Sequence, residues 1–238
     1  MILQIDAGNS RLKWRLRAGE EIVDRGVVSA GGVFDVAGLP RPIERVVVST
    51  VRSDARRVEL ANQLRTSLGV SPEFHDTQAH QCGLRCGYAR PGDMGADRWH
   101  ALVGAAAHQH PPLVVVDAGS AITVDYLDAA YRHRGGYILP GERLHLNALF
   151  GETDRVRFQG GAGHSGRPGR STNDCVMGGL HWLREALADR LNAESFGAVL
   201  VTGGDAEALL AAGLQARWYP ELVLDGLERV DIGWEPDI

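Results

Sequence analysis

The sequence contains few cysteines, and it has no apolar run long enough to cross a bilayer. Three Cys in 238 residues do not provide the disulfide framework that stabilises small secreted domains. A membrane-spanning helix needs ~20 consecutive apolar residues, and the first residues lack the basic start and apolar run of a secretion signal. We therefore expect a cytoplasmic protein with reduced thiols and no membrane partner.

Basic charge is also scarce. The formal net charge is −5, and no cluster of Lys and Arg offers a surface that neutralises the phosphates of a nucleic acid. We therefore expect no nucleic-acid partner. Apolar residues make up 44% and charged residues 23% of the chain, which is typical of a globular protein with a substantial core.

Several common catalytic motifs are missing or incomplete. The chain has no Walker A sequence and no Gly-x-Ser-x-Gly elbow. Residues 161–166 match Gly-x-Gly-x-x-Gly, but a Pro-containing segment follows where a dinucleotide site needs a helix. Four potential zinc ligands lack the paired Cys-x2-Cys spacing of a zinc knuckle, and we interpret them as scattered loop residues: His75, His80, Cys82 and Cys86.

What the sequence does contain is an internal repeat. An apolar run leads into Asp-Ala-Gly and a small polar residue at Asp6–Asn9 and again at Asp117–Ser120, and a second strand-like run follows each. The two Asp residues are 111 positions apart in a chain of 238 residues. Each half is therefore predicted to open with a β-hairpin, which favours two domains, residues 1–111 and 112–238.

The repeated turn suits a phosphate chain and its metal ion. Glycine allows backbone N–H groups to point at one anion, and Asn9, Ser10 and Ser120 add side-chain donors. Asp6 and Asp117 repel phosphate but can hold a cation or its waters beside it. Two such turns facing each other would clamp a phosphate chain. The alternative is two ordinary hairpin turns, in which Asp-x-Gly is common.

Strands alternate with helices in both halves, and this order indicates an α/β fold. The apolar spacing and the capping residues predict helices over residues 54–68, 95–107, 142–150, 174–191 and 205–212. Further strands are predicted over residues 22–29, 45–49, 113–117, 135–139 and 198–202. Residues 69–94 and 160–169 are predicted to be loops, because Gly and Pro are frequent there.

The segment Gly95-x-Asp97-Arg98 begins one of these helices. A carboxylate at a helix start is well oriented and could accept a proton from a substrate hydroxyl, while Arg98 could hold an anionic group through two hydrogen bonds. The alternative is an acidic residue that merely caps the helix. Gly203-Gly204 could lie against a ring or ribose, or could simply form a strand-to-helix turn. Gly135-Gly136 and Pro140-Gly141 carry the same ambiguity.

Together these segments resemble the motifs of type III pantothenate kinases, which belong to the actin/hexokinase/acetate-kinase superfamily of two-domain ATP-binding folds. The resemblance covers essentially the whole chain, and the order and spacing of five segments carry it: Asp6-x-Gly8-Asn9-Ser10 with Lys13-Trp14, Gly95-x-Asp97-Arg98-Trp99, Asp117-x-Gly119-Ser120-Ala121-x-Thr123, Gly135-Gly136-x-x-x-Pro140-Gly141 and Thr202-Gly203-Gly204-Asp205. It implies an α/β fold of two similar ribonuclease-H-like (actin-like ATPase) domains with a central cleft.

The resemblance also implies an activity, the ATP-dependent phosphorylation of pantothenate to 4'-phosphopantothenate, the first step of coenzyme A biosynthesis. It implies that Asp6 supports Mg²⁺ through water and that Asp117 binds a monovalent cation, K⁺ or NH₄⁺. Ser120 matches an ATP-contacting position that is usually Thr. The other implied ATP-binding residues form one segment: Asp6, Ala7, Gly8, Asn9, Ser10, Arg11, Leu12 and Lys13.

For the acceptor substrate, the resemblance implies that Asp97 is the general base. The implied pantothenate contacts are Tyr88, Gly95, Ala96, Asp97, Arg98 and Thr172. Thr172 matches a residue that reaches pantothenate from the partner subunit, so the resemblance implies a homodimer. Two alternatives stay open: a kinase of the same superfamily acting on another small hydroxyl or carboxylate substrate, and a non-catalytic nucleotide-binding accessory protein.

Overall fold

Two five-stranded β-sheets organise the chain. The computed structural model describes residues 1–29, 32, 34–36, 38–152 and 168–236. The strands are β1 (Ile2–Ala7), β2 (Arg11–Ala18), β3 (Glu21–Ser29), β4 (Arg45–Thr50), β5 (Pro72–Phe74), β6 (His80–Gln81), β7 (Leu84–Arg85), β8 (Leu113–Ala118), β9 (Ala121–Leu127), β10 (His133–Pro140), β11 (Ala198–Thr202) and β12 (Arg217–Trp218). The α-helices are α1 (Asp54–Leu68), α2 (Ala96–His108), α3 (Glu142–Gly151), α4 (Thr172–Asn192), α5 (Ala206–Ala211) and α6 (Leu222–Asp231), and Pro91–Asp93 form a short 3-10 helix.

The two large sheets have the same strand order. The first runs β3-β2-β1-β4-β5 and the second β10-β9-β8-β11-β12. In each sheet the strand that comes first in the sequence lies in the middle. The next two strands lie in sequence order on one side of it, and the last two lie in sequence order on the other side. This shared order is the structural counterpart of the repeated hairpin in the sequence. Strands β6 and β7 form a separate two-stranded ribbon.

Contacts group the chain into two compact units. The first contains Met1–Leu113, Asp125–Gly135 and Glu221–Ile238, and the second contains Val114–Val124 and Gly136–Pro220. The last helix, α6, therefore groups with the first half of the chain. The division between residues 111 and 112 stays a prediction.

In the first unit, the central strands β1 and β4 separate two apolar cores. Side chains alternate between the two faces of a strand, so Ile5 packs on the side of α1 with Leu64. On the other face, Val47 packs with Leu224 and Leu227 of α6. Full burial of one such side chain stabilises the fold by about 1.5–3 kcal/mol, so both helices are fixed against the sheet.

Helices α2 and α6 approach each other closely at two glycines. A Cβ added at Gly226 would lie 1.7 Å from the carbonyl oxygen of His100, and one at Gly104 would lie 2.3 Å from that of Leu222. A larger residue at either position would force the helices apart. This contact fixes α2, whose first turn carries the predicted acid–base residue Asp97.

The five predicted helices correspond to α1–α5, and α1 has the predicted bounds. Helix α6 was not predicted, although Val223, Leu227 and Val230 recur with helical spacing and are buried. Most of the loop predicted over residues 160–169, and the whole Gly-x-Gly-x-x-Gly segment at 161–166, lie outside the described residues. None of the described helices combines the length and the apolar composition that a membrane span requires. The cytoplasmic location stays a prediction.

Candidate active site

The first Asp-Ala-Gly turn joins β1 to β2 in the first unit. Asp6 lies opposite Lys13 in the antiparallel pair, so the segment predicted to bind ATP, residues 6–13, forms the end of one hairpin. Gly8 is tightly placed, because an added Cβ would lie 3.2 Å from the carbonyl oxygen of Arg11. Asn9 is exposed at the tip of the turn. The hairpin predicted from the sequence is therefore present, with its polar tip accessible.

Two residues that the sequence analysis missed hold this turn in place. Thr50, at the end of β4, donates its hydroxyl to the carbonyl of Ala7 (3.0 Å), and Arg52 Nε donates to the carbonyl of Gly8 (2.8 Å). Burial and the neighbouring Arg56 lower the pKa of the Arg52 guanidinium, and Asp6 opposes them. Strand β4 runs parallel to β1, so their adjacent ends bring the Arg52 guanidinium to the segment that is predicted to bind ATP.

A cavity lies beside this turn within the first unit. Its volume is about 590 Å³, and polar and cationic side chains make up much of its lining. Its lining includes Asn9, Ser53, Arg52, Arg56 and Glu59. Two guanidinium groups against one carboxylate make this lining suited to an anionic group.

The second Asp-Ala-Gly turn joins β8 to β9, and two other glycine motifs close around it in the second unit. The N–H of Gly141 donates to the carbonyl of Ser120 (3.1 Å). A Cβ at Gly141 would lie 2.3 Å from the carbonyl oxygen of Gly119. This close approach of two backbones explains why the segment Pro140-Gly141 ends in glycine.

Gly203 approaches the same turn from the end of β11. It has a φ of +96°, and an added Cβ would lie 2.5 Å from Asp117 Oδ1 and 2.2 Å from the carbonyl oxygen of Ala118. The N–H of Asp205 donates to that carbonyl (2.8 Å). The structure therefore brings together three motifs that are far apart in the sequence, and Gly203 serves both a strand-to-helix turn and a close contact with a carboxylate.

Asp97 lies in the first turn of α2. Its Oδ1 accepts a hydrogen bond from the backbone N–H of Arg98 (2.7 Å). A Cβ at Gly95 would lie 2.7 Å from the same oxygen and 3.1 Å from a methyl group of Val51, so this glycine makes room for the carboxylate. Burial raises the pKa of Asp97, and the charge of Asp125 adds to the effect while Arg98 opposes it. A partly buried carboxylate with a raised pKa is suited to accept a proton.

The neighbouring Arg98 is almost fully buried, with 6% of its surface exposed. Its Nε and Nη2 donate to the two carboxylate oxygens of Asp125 (2.9 and 2.6 Å), and Nη1 donates to the hydroxyl of Tyr88 (2.8 Å). The edge of the guanidinium that favours a bidentate carboxylate is thus already filled by Asp125. Within the described residues, these bonds leave one N–H group on Nη1 and one on Nη2 for a further acceptor.

His133 completes this group, all of which lies in the first unit. Its Nε2 lies 2.9 Å from Asp125 Oδ1, and its ring stacks on that of Tyr88 with centroids 5.9 Å apart. Gly87 allows the stacking, because a Cβ there would lie 2.1 Å from the carbonyl oxygen of His133. Neither Asp125 nor His133 was identified from the sequence. The signal for Asp125 was a carboxylate in a strand-like run whose other members, apart from Thr123, are apolar or aromatic.

The four potential zinc ligands of the sequence do not lie close enough together to share one ion. Within the described ranges, the cluster of His, Cys, Asp or Glu able to share an ion consists of Glu73, His75 and Asp231. Arg45 already donates to both of those carboxylates. Burial raises the pKa of the Cys82 thiol to about 11, which disfavours the thiolate that zinc requires. Their interpretation as scattered loop residues stays a prediction, and the structure corrects it for His80, which lies in strand β6.

Thr172 is the first residue of α4 and is exposed. The preceding residue, Ser171, caps the helix by accepting a hydrogen bond from the N–H of Asp174 (3.1 Å). The cap therefore fixes the start of α4 and leaves Thr172 accessible at the surface of the second unit.

Comparison with known proteins shows the family of this chain. The family model described as type III pantothenate kinase matches residues 2–194. A type III pantothenate kinase from Marinobacter nauticus is 43% identical over 236 residues, covering 97% of this chain and 98% of that protein. The chain belongs to the type III pantothenate kinase family. Another member, from Ectopseudomonas mendocina, is 36% identical and covers 95% of this chain and 97% of its own length.

Among solved structures, a Baf-family protein from Campylobacter jejuni superposes with a TM-score of 0.60 at 21% identity, covering 96% of each chain. At this identity the similarity shows the fold alone. With the two sheets of equal strand order, the expected α/β fold of two actin-like ATPase domains is confirmed. Family membership confirms the resemblance seen in the motifs, whereas the roles given to single residues stay predictions.

Proposed function

We propose that this chain transfers the γ-phosphate of ATP to the primary hydroxyl of pantothenate, giving 4'-phosphopantothenate, the first step of coenzyme A biosynthesis. Membership of the type III pantothenate kinase family supports the reaction. The observation that carries the mechanism is Asp97, a carboxylate at a helix start with a raised pKa, beside the buried arginine Arg98.

In the proposed mechanism, Asp97 orients the acceptor hydroxyl and takes its proton as the phosphoryl group moves. The transition state of phosphoryl transfer is loose, so the base mainly positions the nucleophile, and charge stabilisation supplies most of the rate. Tyr88 and the open end of Arg98 offer hydrogen bonds to the carboxylate and amide of pantothenate, and Gly95 and Ala96 line the approach to Asp97.

We propose that residues 6–13 bind the nucleotide phosphates and that Ser120 contacts ATP. Arg52 supports this role, because it places a positive charge on the turn that contains Gly8. The carboxylate of Asp117 with its neighbouring backbone oxygens is a set of hard donors that fits a monovalent cation, and Asp6 fits the water shell of Mg²⁺. Both ions would offset phosphate charge.

We also propose a homodimer, which an apolar surface of the second unit supports. Its members are exposed large side chains of β10, α3 and α4: Tyr137, Ile138, Leu139, Leu144, Trp182 and Leu183. The ion pair between Arg184 and Glu142 joins α4 to α3, so these side chains belong to connected elements. A second copy of this chain is the occupant we propose, since Thr172 would then lie on an interface helix.

The reaction is tested by a coupled ADP-release assay with pantothenate, with and without K⁺. We expect turnover that depends on pantothenate and rises with K⁺. Sugars and acetate serve as competing acceptors, and turnover with one of these in place of pantothenate would contradict the proposal.

Sedimentation tests the dimer. The wild type should sediment at twice the monomer mass and Trp182→Glu as a monomer, and a monomeric wild type would contradict this assembly.

A further inference from the structure

The contacts around Arg98 form a closed ring of four side chains. Arg98 donates to Tyr88 and to Asp125, His133 hydrogen-bonds Asp125, and His133 stacks on Tyr88. Each member therefore contacts two others, and all four belong to the first unit. A side chain whose position is set by two neighbours keeps one geometry, and this is what a binding site requires of the residues behind it.

Asp125 is the centre of this ring. Its side chain is 3% exposed, and a buried carboxylate is tolerated only when it is paired and hydrogen-bonded. Its Oδ1 accepts hydrogen bonds from Arg98 Nη2 (2.6 Å) and His133 Nε2 (2.9 Å), and its Oδ2 accepts one from Arg98 Nε (2.9 Å). Because an ionised carboxylate can only accept hydrogen bonds, Nε2 of His133 is the ring nitrogen that carries the proton and donates it to Asp125.

The ring also orients the hydroxyl of Tyr88. This hydroxyl accepts a hydrogen bond from Arg98 Nη1, so its own proton points away from the guanidinium and can be donated to another group. Arg98 likewise keeps N–H groups at its Nη1 and Nη2 end. Asp125 and His133 thus fix the positions of Arg98 and Tyr88, the two side chains that are proposed to contact the acceptor.

We propose that Asp125 and His133 are positioning residues of the acceptor site, which fix Arg98 and through it the Tyr88 hydroxyl so that both can bind the carboxylate and amide of the acceptor. This inference rests on the proposed function and deepens it, because it says which residues determine acceptor affinity without touching the acceptor. Asp125 also influences the base, since its charge is one of the causes that raise the pKa of Asp97.

A pair of His133 variants tests the proposal. His133→Phe keeps an aromatic ring against Tyr88 and removes the hydrogen bond to Asp125, whereas His133→Gln keeps a donor at the same reach and removes the ring. We expect His133→Phe to raise the KM for pantothenate about tenfold, the effect of losing one hydrogen bond to a charged group, with the KM for ATP unchanged. His133→Gln should recover most of that loss.

A second variant reports on the base. Asp125→Asn removes a charge that raises the pKa of Asp97, so the acidic limb of the kcat/KM–pH profile should move to lower pH. Asp128→Asn is the matched control. Asp128 lies at the next turn, where its Oδ1 accepts from the backbone of Ala130 and Arg132, as the Asn oxygen also can, and its profile should match the wild type.

The possible results distinguish a failure of the proposed function from a failure of the inference about Asp125 and His133. If the wild type shows no turnover with pantothenate, the proposed function fails and the inference falls with it. If the wild type is active but His133→Phe lowers only the melting temperature, or raises both KM values equally, the inference fails and the function stands. Equal KM values for His133→Phe and His133→Gln would likewise overturn it. The KM values of His133→Phe test the inference even if Asp125→Asn does not fold.

Discussion

Arg15 and Arg98 are both buried arginines of the first unit, with 2% and 6% of their surfaces exposed. All five N–H groups of Arg15 have partners. They donate to the side chain of Gln4, to the carbonyl of Leu224, and to three carboxylates spaced along one side of α6 and its start, Glu221, Asp225 and Glu228. Arg98 makes three such bonds within the described residues. Burial alone therefore does not distinguish the arginine that we propose to bind the acceptor, whereas the N–H groups left over after structural pairing do.

The two carboxylates beside these arginines, Asp225 beside Arg15 and Asp97 beside Arg98, have pKa values that are shifted in opposite directions. Burial raises the pKa of Asp225, but hydrogen bonds from His108 and Arg15 outweigh it, so the pKa lies below its ordinary value. At Asp97, burial prevails and the pKa is raised. The first carboxylate is stabilised as an anion and contributes to folding. The second, the proposed general base, is destabilised as an anion, which lowers the stability of the folded state when Asp97 is ionised.

The largest effect that would test this comparison is expected at Asp97. Asp97→Asn should lower kcat roughly 10²–10⁴-fold, the usual range for loss of a general base, with ATP affinity unchanged. The Asn oxygen can still accept the hydrogen bond from the backbone of Arg98, so the melting temperature at pH 7 should not fall. Steady-state kinetics and calorimetry measure both quantities. Near-normal turnover would show that Asp97 is not the base.

Arg15→Met should act on stability alone. It leaves three carboxylates without their buried partner, and breaking a buried ion pair costs about 3–5 kcal/mol. Urea denaturation measures this loss, and kinetics below the transition should show unchanged KM values. Arg25→Met is the matched control, because Arg25 pairs with the same Glu221 from a side chain that is 60% exposed, and an exposed pair contributes at most about 1 kcal/mol. Equal losses for both would contradict the contrast.

Arg98→Lys should mainly affect the acceptor. Lysine keeps the charge but lacks the planar set of donors that binds Asp125 and Tyr88 together. We expect the KM for pantothenate to rise about 10–100-fold, in the range given by one or two charged hydrogen bonds, while the KM for ATP stays the same. A fall in stability without a change in KM would make Arg98 a structural residue like Arg15.

The smallest effect concerns pH. Because the folded pKa of Asp225 is depressed, its stabilisation is present above the unfolded value of about 3.8 and is lost as the pH falls through the folded value. For Asp97 the sign is opposite, since a raised pKa favours the folded state at low pH and this contribution disappears as the pH rises. The urea midpoints of Asp225→Asn and the wild type should therefore converge in acid, and a constant difference would contradict the assignment.

Local patterns in the sequence predicted much of the fold and part of the site. The repeated Asp-Ala-Gly turns predicted the two hairpins, apolar periodicity predicted helices α1–α5, and the capping pattern put Asp97 at the start of α2. Each of these follows from residues within one turn or one strand of each other. Because such short-range preferences act on neighbouring residues, they can be recognised without knowing where the chain goes next.

Only the tertiary structure decided which distant groups meet. Nothing near Arg15 in the sequence indicates that its partners lie on α6, which itself escaped prediction, and nothing near Arg98 indicates Asp125 or His133. Gly141 and Gly203 were recognisable as glycines, but their purpose depends on the backbone of the Asp117 turn that they approach. The sequence determines which residues carry charge and where the chain turns. Partner choice for a buried charge depends on long-range packing, because only the folded chain removes the water that would otherwise satisfy it.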